Sequence, residues 1–147
     1  MERVAAAAEV AHSLPFRFML TARAENFLHD RPNLADTIMR LQAFQDAGAD
    51  VLYAPGLKTR EDIETVVKEV DRPVNVLMGM KGVALTVEDL SQMGVKRISV
   101  GGAFTRAAFG AFLAAAREVQ TRGTFSFTEA ATPHGELNAI FSAWPKK

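Results

Sequence analysis

Cysteine is absent from the 147 residues. That one absence removes disulfide bonds, thiolate nucleophiles and cysteine-ligated zinc together, and it fits a reducing compartment. An excess of charge is also missing. Seventeen Lys and Arg balance seventeen Asp and Glu, so no global field gathers nucleic acid or an anionic membrane. No apolar run reaches the roughly 20 residues that a membrane helix needs. Residues 4–8 form too short an apolar stretch for a signal peptide, with Glu9 and His12 close behind. Neither GxGxxG nor a Walker pattern occurs, which leaves nucleotide binding without support. The expectation is a soluble, cytoplasmic protein with no nucleic-acid or membrane partner.

What is present is an ordinary globular composition, 48% hydrophobic and 23% charged, in a chain long enough for one domain. Residues 5–14 favour a helix that ends before Pro15. Residues 16–22 lack breakers and are short enough for a buried strand, with Arg23, Glu25 and Asn26 arriving at its end. Pro32 or Asn33 opens a helix carrying Leu34, Ile38, Leu41 and Phe44, and Gly48 stops it. A second strand spans 50–54, closed by Pro55 and Gly56. Thr59 with Asp62 approximates a capping box before the apolar face of Ile63, Val66, Val67 and Val70. Pro73 precedes a third strand over 74–78. Thr86 with Asp89 caps a short helix that ends at Gly94, and 97–100 is the fourth strand. The longest helix covers about 104–121, and a connector over 124–132 leads to a last helix near 135–144.

Strands of this kind, alternating with amphipathic helices over short loops, predict α/β architecture with a parallel sheet and right-handed crossovers. "DAGADVLYAPG" and "QMGVKRISVGG" repeat one pattern: helix end, glycine stop, short strand, glycine-bearing loop. Four such units are half of a (β/α)8 barrel. An open four-stranded sheet is the alternative.

The stretches "TARAENFL", "RLQAFQDAGADVLYAPGL", "RPVNVL" and "LSQMGVKRISVGGAFTRAAFGAFLAAAREV" resemble the isocitrate lyase and phosphoenolpyruvate mutase superfamily, in order and spacing, over roughly residues 16–141. The resemblance implies the C-terminal half of a (β/α)8 TIM barrel, with about four parallel βα units plus a C-terminal helix. The whole chain, 1–147, would then be a partial barrel domain, and 124–147 a C-terminal helical arm. It also implies lyase or phosphonomutase-like chemistry on small 2-oxo or 2-hydroxy acids, by C–C or P–C cleavage through a magnesium-stabilised enolate. In the family, the aspartates around magnesium and the flexible catalytic loop lie in the first half of the barrel. This chain alone is therefore expected to be inactive, with no catalytic, cofactor-binding or metal-binding residue of its own. Two alternatives are a non-catalytic oligomeric half-barrel and a subunit completing a split enzyme.

Arg23, at the mouth of a strand, offers a planar fork for a carboxylate or phosphonate, and the matching family arginine binds the substrate's acid group. Its structural alternative is a rim ion pair with Glu25. Glu25 in turn could orient Arg23 or accept a hydrogen bond from a metal-bound water. Asn75 lies in an apolar strand, must be hydrogen-bonded if buried, and suits holding a carboxylate; its alternative is to tie adjacent backbone together. Asn26, His29 and Lys81 are weaker candidates, and Ser99, Gly101 and Gly102 close the fourth strand. Ala54, Pro55 and Gly56 stand where well-characterised members carry a glutamate. The implied partners are a small carboxylic or phosphonic acid and either further copies of the chain or a complementing half-barrel. Phe127, Leu137, Ile140, Phe141 and Trp144 are read as an oligomer contact or as intramolecular core.

Overall fold

A computed structural model describes residues 1–144. Its elements run α1 (Glu2–Ser13), β1 (Thr21–Arg23), α2 (Leu34–Asp46), β2 (Val51–Tyr53), α3 (Arg60–Glu69), β3 (Val74–Leu77), α4 (Val87–Gln92), β4 (Arg97–Ser99), α5 (Ala103–Arg122) and α6 (His134–Ser142). The four strands form one parallel sheet in the order β1-β2-β3-β4. The chain divides into two compact units, Met1–Ala103 and Phe104 onward.

Local chemistry explains where α2, α3 and α4 begin. The Asn33 side chain accepts the Asp36 N–H at 2.9 Å, and Thr59 accepts that of Asp62 at 3.2 Å. Thr86 and Asp89 form a complete reciprocal capping box at the start of α4. Each cap is worth about 1 kcal/mol. The two repeated glycine stops, Gly48 and Gly94, both lie in the left-handed region, at φ of 96° and 85°, where a side chain would be strained.

Successive residues of a strand face opposite ways. One face of the sheet carries Ala22, Leu52, Val74 and Val76, which join Leu41, Ile63, Val66 and Leu90 in a single core. Leu41, Leu52, Ile63, Val66 and Leu90 are wholly buried. The opposite face carries Thr21, Arg23, Val51, Tyr53, Asn75, Leu77, Arg97 and Ser99. A guanidinium nitrogen of Arg97 on β4 donates to the Thr21 hydroxyl on β1 at 2.8 Å. In a flat sheet these edge strands would lie roughly 14 Å apart, three strand spacings, beyond the combined reach of the two side chains. The sheet is therefore strongly curved, with the face that carries Arg23, Asn75 and Arg97 on the concave side. This is half of a TIM barrel, not an open flat sheet.

The first strand is shorter than its sequence suggests. Residues 16–20 lie outside it, and Phe16, Phe18 and Met19 are exposed. A strand persists only where a neighbour runs beside it, and β2 offers partners from Val51 to Tyr53 alone. Just before that register, the Asp50 side chain takes the Leu20 N–H at 2.8 Å, and its carboxylate also meets His12 at 3.0 Å. The connector after α5 contains a 3-10 turn, Ser126–Ala130.

Partial burial pushes the Asp50 carboxyl up, but the Leu20 N–H, His12 and Arg72 outweigh it, and the group titrates below its ordinary 3.8. A carboxyl whose folded pKa is depressed stabilises the fold above its unfolded pKa and loses that contribution as pH falls through the folded value. Asp50→Asn should therefore lower the urea midpoint near neutrality. The gap from the parent chain should close on acidification below 3.8. Parallel urea titrations of the two proteins at several pH values check this.

The second unit holds most of α5 together with α6. Glu118, nearly buried, accepts from the hydroxyls of Thr124 and Ser126, each at 2.8 Å, and so pins the turn after α5. Of the aromatic residues from 124 to 144 in the expected arm, Phe127 is half-buried and the others are exposed. Phe125, Phe141 and Trp144 are each more than 60% accessible, and α6 buries no residue. Residues 145–147 of that segment lie outside the described residues.

Candidate functional site

In a barrel of this kind, functional groups gather at the C-terminal ends of the strands, where the βα loops begin. The strand register aligns Arg23 with Tyr53, Tyr53 with Asn75, and Asn75 with Arg97. One polar or aromatic side chain per strand thus forms a lateral row across the concave face. Arg23 and Asn75 are two strands apart, roughly 10 Å at the backbone, a span on the scale of a small diacid between two side chains.

Arg23 is half exposed, and its Nε donates to Glu25 at 2.6 Å. The guanidinium lies over the Tyr53 ring, 5.0 Å from its centroid, within the range of a cation–π contact. Glu25 and Tyr53 together fix the plane of the fork while occupying only its Nε edge. Its terminal nitrogens make no hydrogen bond among the described residues. The rim ion pair expected as the alternative for Arg23 is therefore present, and it leaves the other edge of the guanidinium accessible. Tyr53 escaped the sequence reading, although it is the single tyrosine of the chain. Only the pairing of β1 with β2 sets it beneath Arg23.

Asn75 is 4% exposed. Its Nδ2 donates to the Ser99 hydroxyl at 3.0 Å, and its buried Oδ1 has no partner. An unmatched buried amide oxygen costs about 1–3 kcal/mol. The serine hydroxyl can donate as well as accept, so the amide could turn over and keep that bond. In either orientation one end of the amide remains unmatched. Ser99, a minor candidate in the sequence, is what orients it.

The loop after β2 brings no charge. Ala54 and Pro55 are buried, and Gly56 adopts φ of 101°, where an added Cβ would lie 2.8 Å from the Cβ of Phe27. Glycine is required there by conformation and by space together. Asn26 and His29 lie instead in a polar hollow of about 550 Å3 with Glu25, Arg31, Asp36 and Arg40. There the Asn26 amide is bound to Asp36, which also pairs with Arg40 at 2.8 Å. Lys81 is exposed on the loop after β3. Among the described residues no group of three or more His, Cys, Asp or Glu could hold a metal ion. No helix there is long and apolar enough to cross a membrane.

The family model for phosphoenolpyruvate phosphomutase matches residues 1–120. The chain belongs to this family. Within it, a Burkholderia cenocepacia protein described as a "putative lyase/mutase" is 55% identical and superposes with a TM-score of 0.91, over 97% of this chain and 52% of that one. An oxaloacetate acetylhydrolase, solved with the product oxalate, superposes with a TM-score of 0.80 at 23% identity, over 96% of this chain and 49% of that one. At that identity it shows the fold alone. An uncharacterized protein of Mycobacterium tuberculosis is 32% identical over 101 residues, covering 68% of this chain and 38% of that protein. The chain thus spans about half the length of the solved relatives, and less of the curated one.

Proposed function

We propose that this chain supplies the acid-binding wall of a lyase or phosphonomutase-like site, acting in the completed barrel on small 2-oxo or 2-hydroxy acids by C–C or P–C bond cleavage. The observation that carries the reading is the unmatched Asn75 amide, buried in the same lateral row as Arg23. A buried polar group without a partner is costly unless a ligand completes it. A carboxylate or hydroxyl of a small acid would do so, while the accessible edge of Arg23 takes an acid oxygen through charge-assisted hydrogen bonds. Glu25 and Tyr53 hold the guanidinium in place, and Ser99 holds the amide. Pro55 stands where well-characterised members carry a glutamate and brings no anion to the mouth, which speaks against isocitrate or methylisocitrate as the substrate.

Magnesium would supply charge stabilisation for an enolate-like species in this chemistry. Among the described residues no group of three or more His, Cys, Asp or Glu is placed to hold it, and no strand of the sheet carries a carboxylate for a cation that takes oxygen ligands. The ligands belong, on this reading, to the part of the barrel that the chain does not span, and the chain by itself is inactive. The segment from 124 onward is proposed as an arm between copies, on the strength of its exposed aromatic residues.

The test is a graft: this chain in place of the matching half of the Burkholderia relative, titrated with oxalate and followed by NMR. The Asn75 side-chain amide and the Arg23 Nε signals are expected to shift along one saturable curve. The graft is also expected to turn over at least one of oxaloacetate, phosphonopyruvate and 2,3-dimethylmalate, and the chain alone none. Oxalate binding that leaves both side chains unmoved would overturn the reading.

A further inference from the structure

From Val51 to Leu57, Tyr53 is the one residue whose side chain carries a hydrogen-bonding group. β2 and the start of its loop therefore reach a ligand through this phenol or not through a polar side chain at all. The register sets Tyr53 directly between Arg23 and Asn75, and it is 9% exposed. Its ring face carries the Arg23 guanidinium, while its hydroxyl makes no hydrogen bond among the described residues. A phenylalanine would also stack, because a cation–π contact needs an aromatic face and not a hydroxyl. The hydroxyl of a buried tyrosine ordinarily finds a hydrogen-bond partner, and burying it without one is costly. Holding Arg23 thus accounts for the ring of Tyr53 and leaves its oxygen unexplained.

We infer that the Tyr53 hydroxyl determines specificity by hydrogen-bonding an oxygen carried between the two acid groups of the ligand, so that the wall selects 2-hydroxy and 2-oxo diacids over plain diacids of the same length. This rests on the acid-binding reading of Arg23 and Asn75. Those two side chains stand on the strands either side of β2. A ligand that gives one acid group to Arg23 and the other to Asn75 crosses β2, and its middle lies over Tyr53. On a plain diacid that middle is a methylene, and the phenol stays unmatched. On a 2-hydroxy or 2-oxo diacid it is an oxygen. A phenol both donates and accepts, so it serves an alcohol and a carbonyl alike. A site whose polar group is built to meet a substrate oxygen rejects the analogue lacking that oxygen, because the protein group is then left without a partner.

Tyr53→Phe in the graft onto the Burkholderia relative tests this, because phenylalanine keeps the ring beneath Arg23 and removes only the hydroxyl. The probes are malate and succinate, diacids of equal length that differ by one hydroxyl. Isothermal titration should show malate binding weakened about 2–10-fold by the substitution, the size of one neutral hydrogen bond, and succinate binding unchanged. The change on substitution is the readout, since bound magnesium would favour the hydroxy acid in parent and variant alike. A second measurement follows the tyrosine itself. With tyrosine labelled at the ring carbon that bears the hydroxyl, the NMR signal lost in Tyr53→Phe should move on adding malate and stay in place with succinate. Equal weakening of both diacids, or of neither, would overturn the inference, as would a tyrosine signal that malate leaves unmoved. Where oxalate shifts the Asn75 and Arg23 signals and Tyr53→Phe still treats the two diacids alike, this inference fails alone. Where oxalate shifts neither signal, the acid-binding wall fails and takes this inference with it.

Discussion

Arg23→Ala in the completed barrel is expected to weaken oxalate binding by roughly 10–100-fold, the effect of losing hydrogen bonds to a charged group worth about 1.5–3 kcal/mol. The thermal midpoint should barely move. Arg23 is half exposed and its ion pair with Glu25 lies on the surface, where such pairs contribute about 0–1 kcal/mol. Arg23→Lys separates charge from shape. A lysine keeps the positive charge but neither the planar fork nor the flat stacking on Tyr53, so it should recover only part of the affinity. Isothermal titration of the three proteins with oxalate decides the matter. Equal affinities would remove Arg23 from the site, and full rescue by lysine would reduce its role to that of a point charge.

Leu52→Ala should cost about 2–5 kcal/mol, the range for emptying a packed core position. Leu52 is wholly buried in the second strand and belongs to the core with Leu41, Ile63 and Val66. The cavity would open between sheet and helices, where both sides are regular elements and collapse little. Val87→Ala offers the contrast. Val87 is 71% exposed at the first position of α4, and its replacement should stay within about 0.5 kcal/mol. Urea denaturation of both variants checks the pair. A Leu52→Ala chain as stable as the parent would mean that the sheet and its helices are not packed as described.

Much of this architecture was legible because it is written in local chemistry. Asn33, Thr59 and Thr86 announce helix starts through side-chain caps, and Gly48 and Gly94 announce helix ends through left-handed backbone. Those signals act over three or four residues and need no tertiary partner. The error at the first strand has the opposite origin. Residues 16–20 have the composition of a buried strand, but strand formation depends on a neighbour, and β2 gives partners to three residues only. The same limit governs the site. Arg23 and Asn75 stood out singly, one as a charge at a strand end and the other as an amide among aliphatics. Their membership in one row, the stacking of Arg23 on Tyr53 and the reach of Arg97 to Thr21 follow from inter-strand register and sheet curvature. Neither can be read from spacing along a single strand.

The lateral row also limits how this segment can change over time. Tyr53 faces the concave side because Val51–Tyr53 pairs in a fixed register with both neighbours, and residues one apart point to opposite faces. Inserting a single residue between Gly48 and Leu52 would turn the tyrosine toward the helices and bring Leu52 under Arg23, and deleting one would bring Ala54 there, exchanging core and site in one step. Point substitutions in β2 can be absorbed one at a time, whereas a change of length cannot. Variation in length is therefore confined to the loops beyond the strand ends.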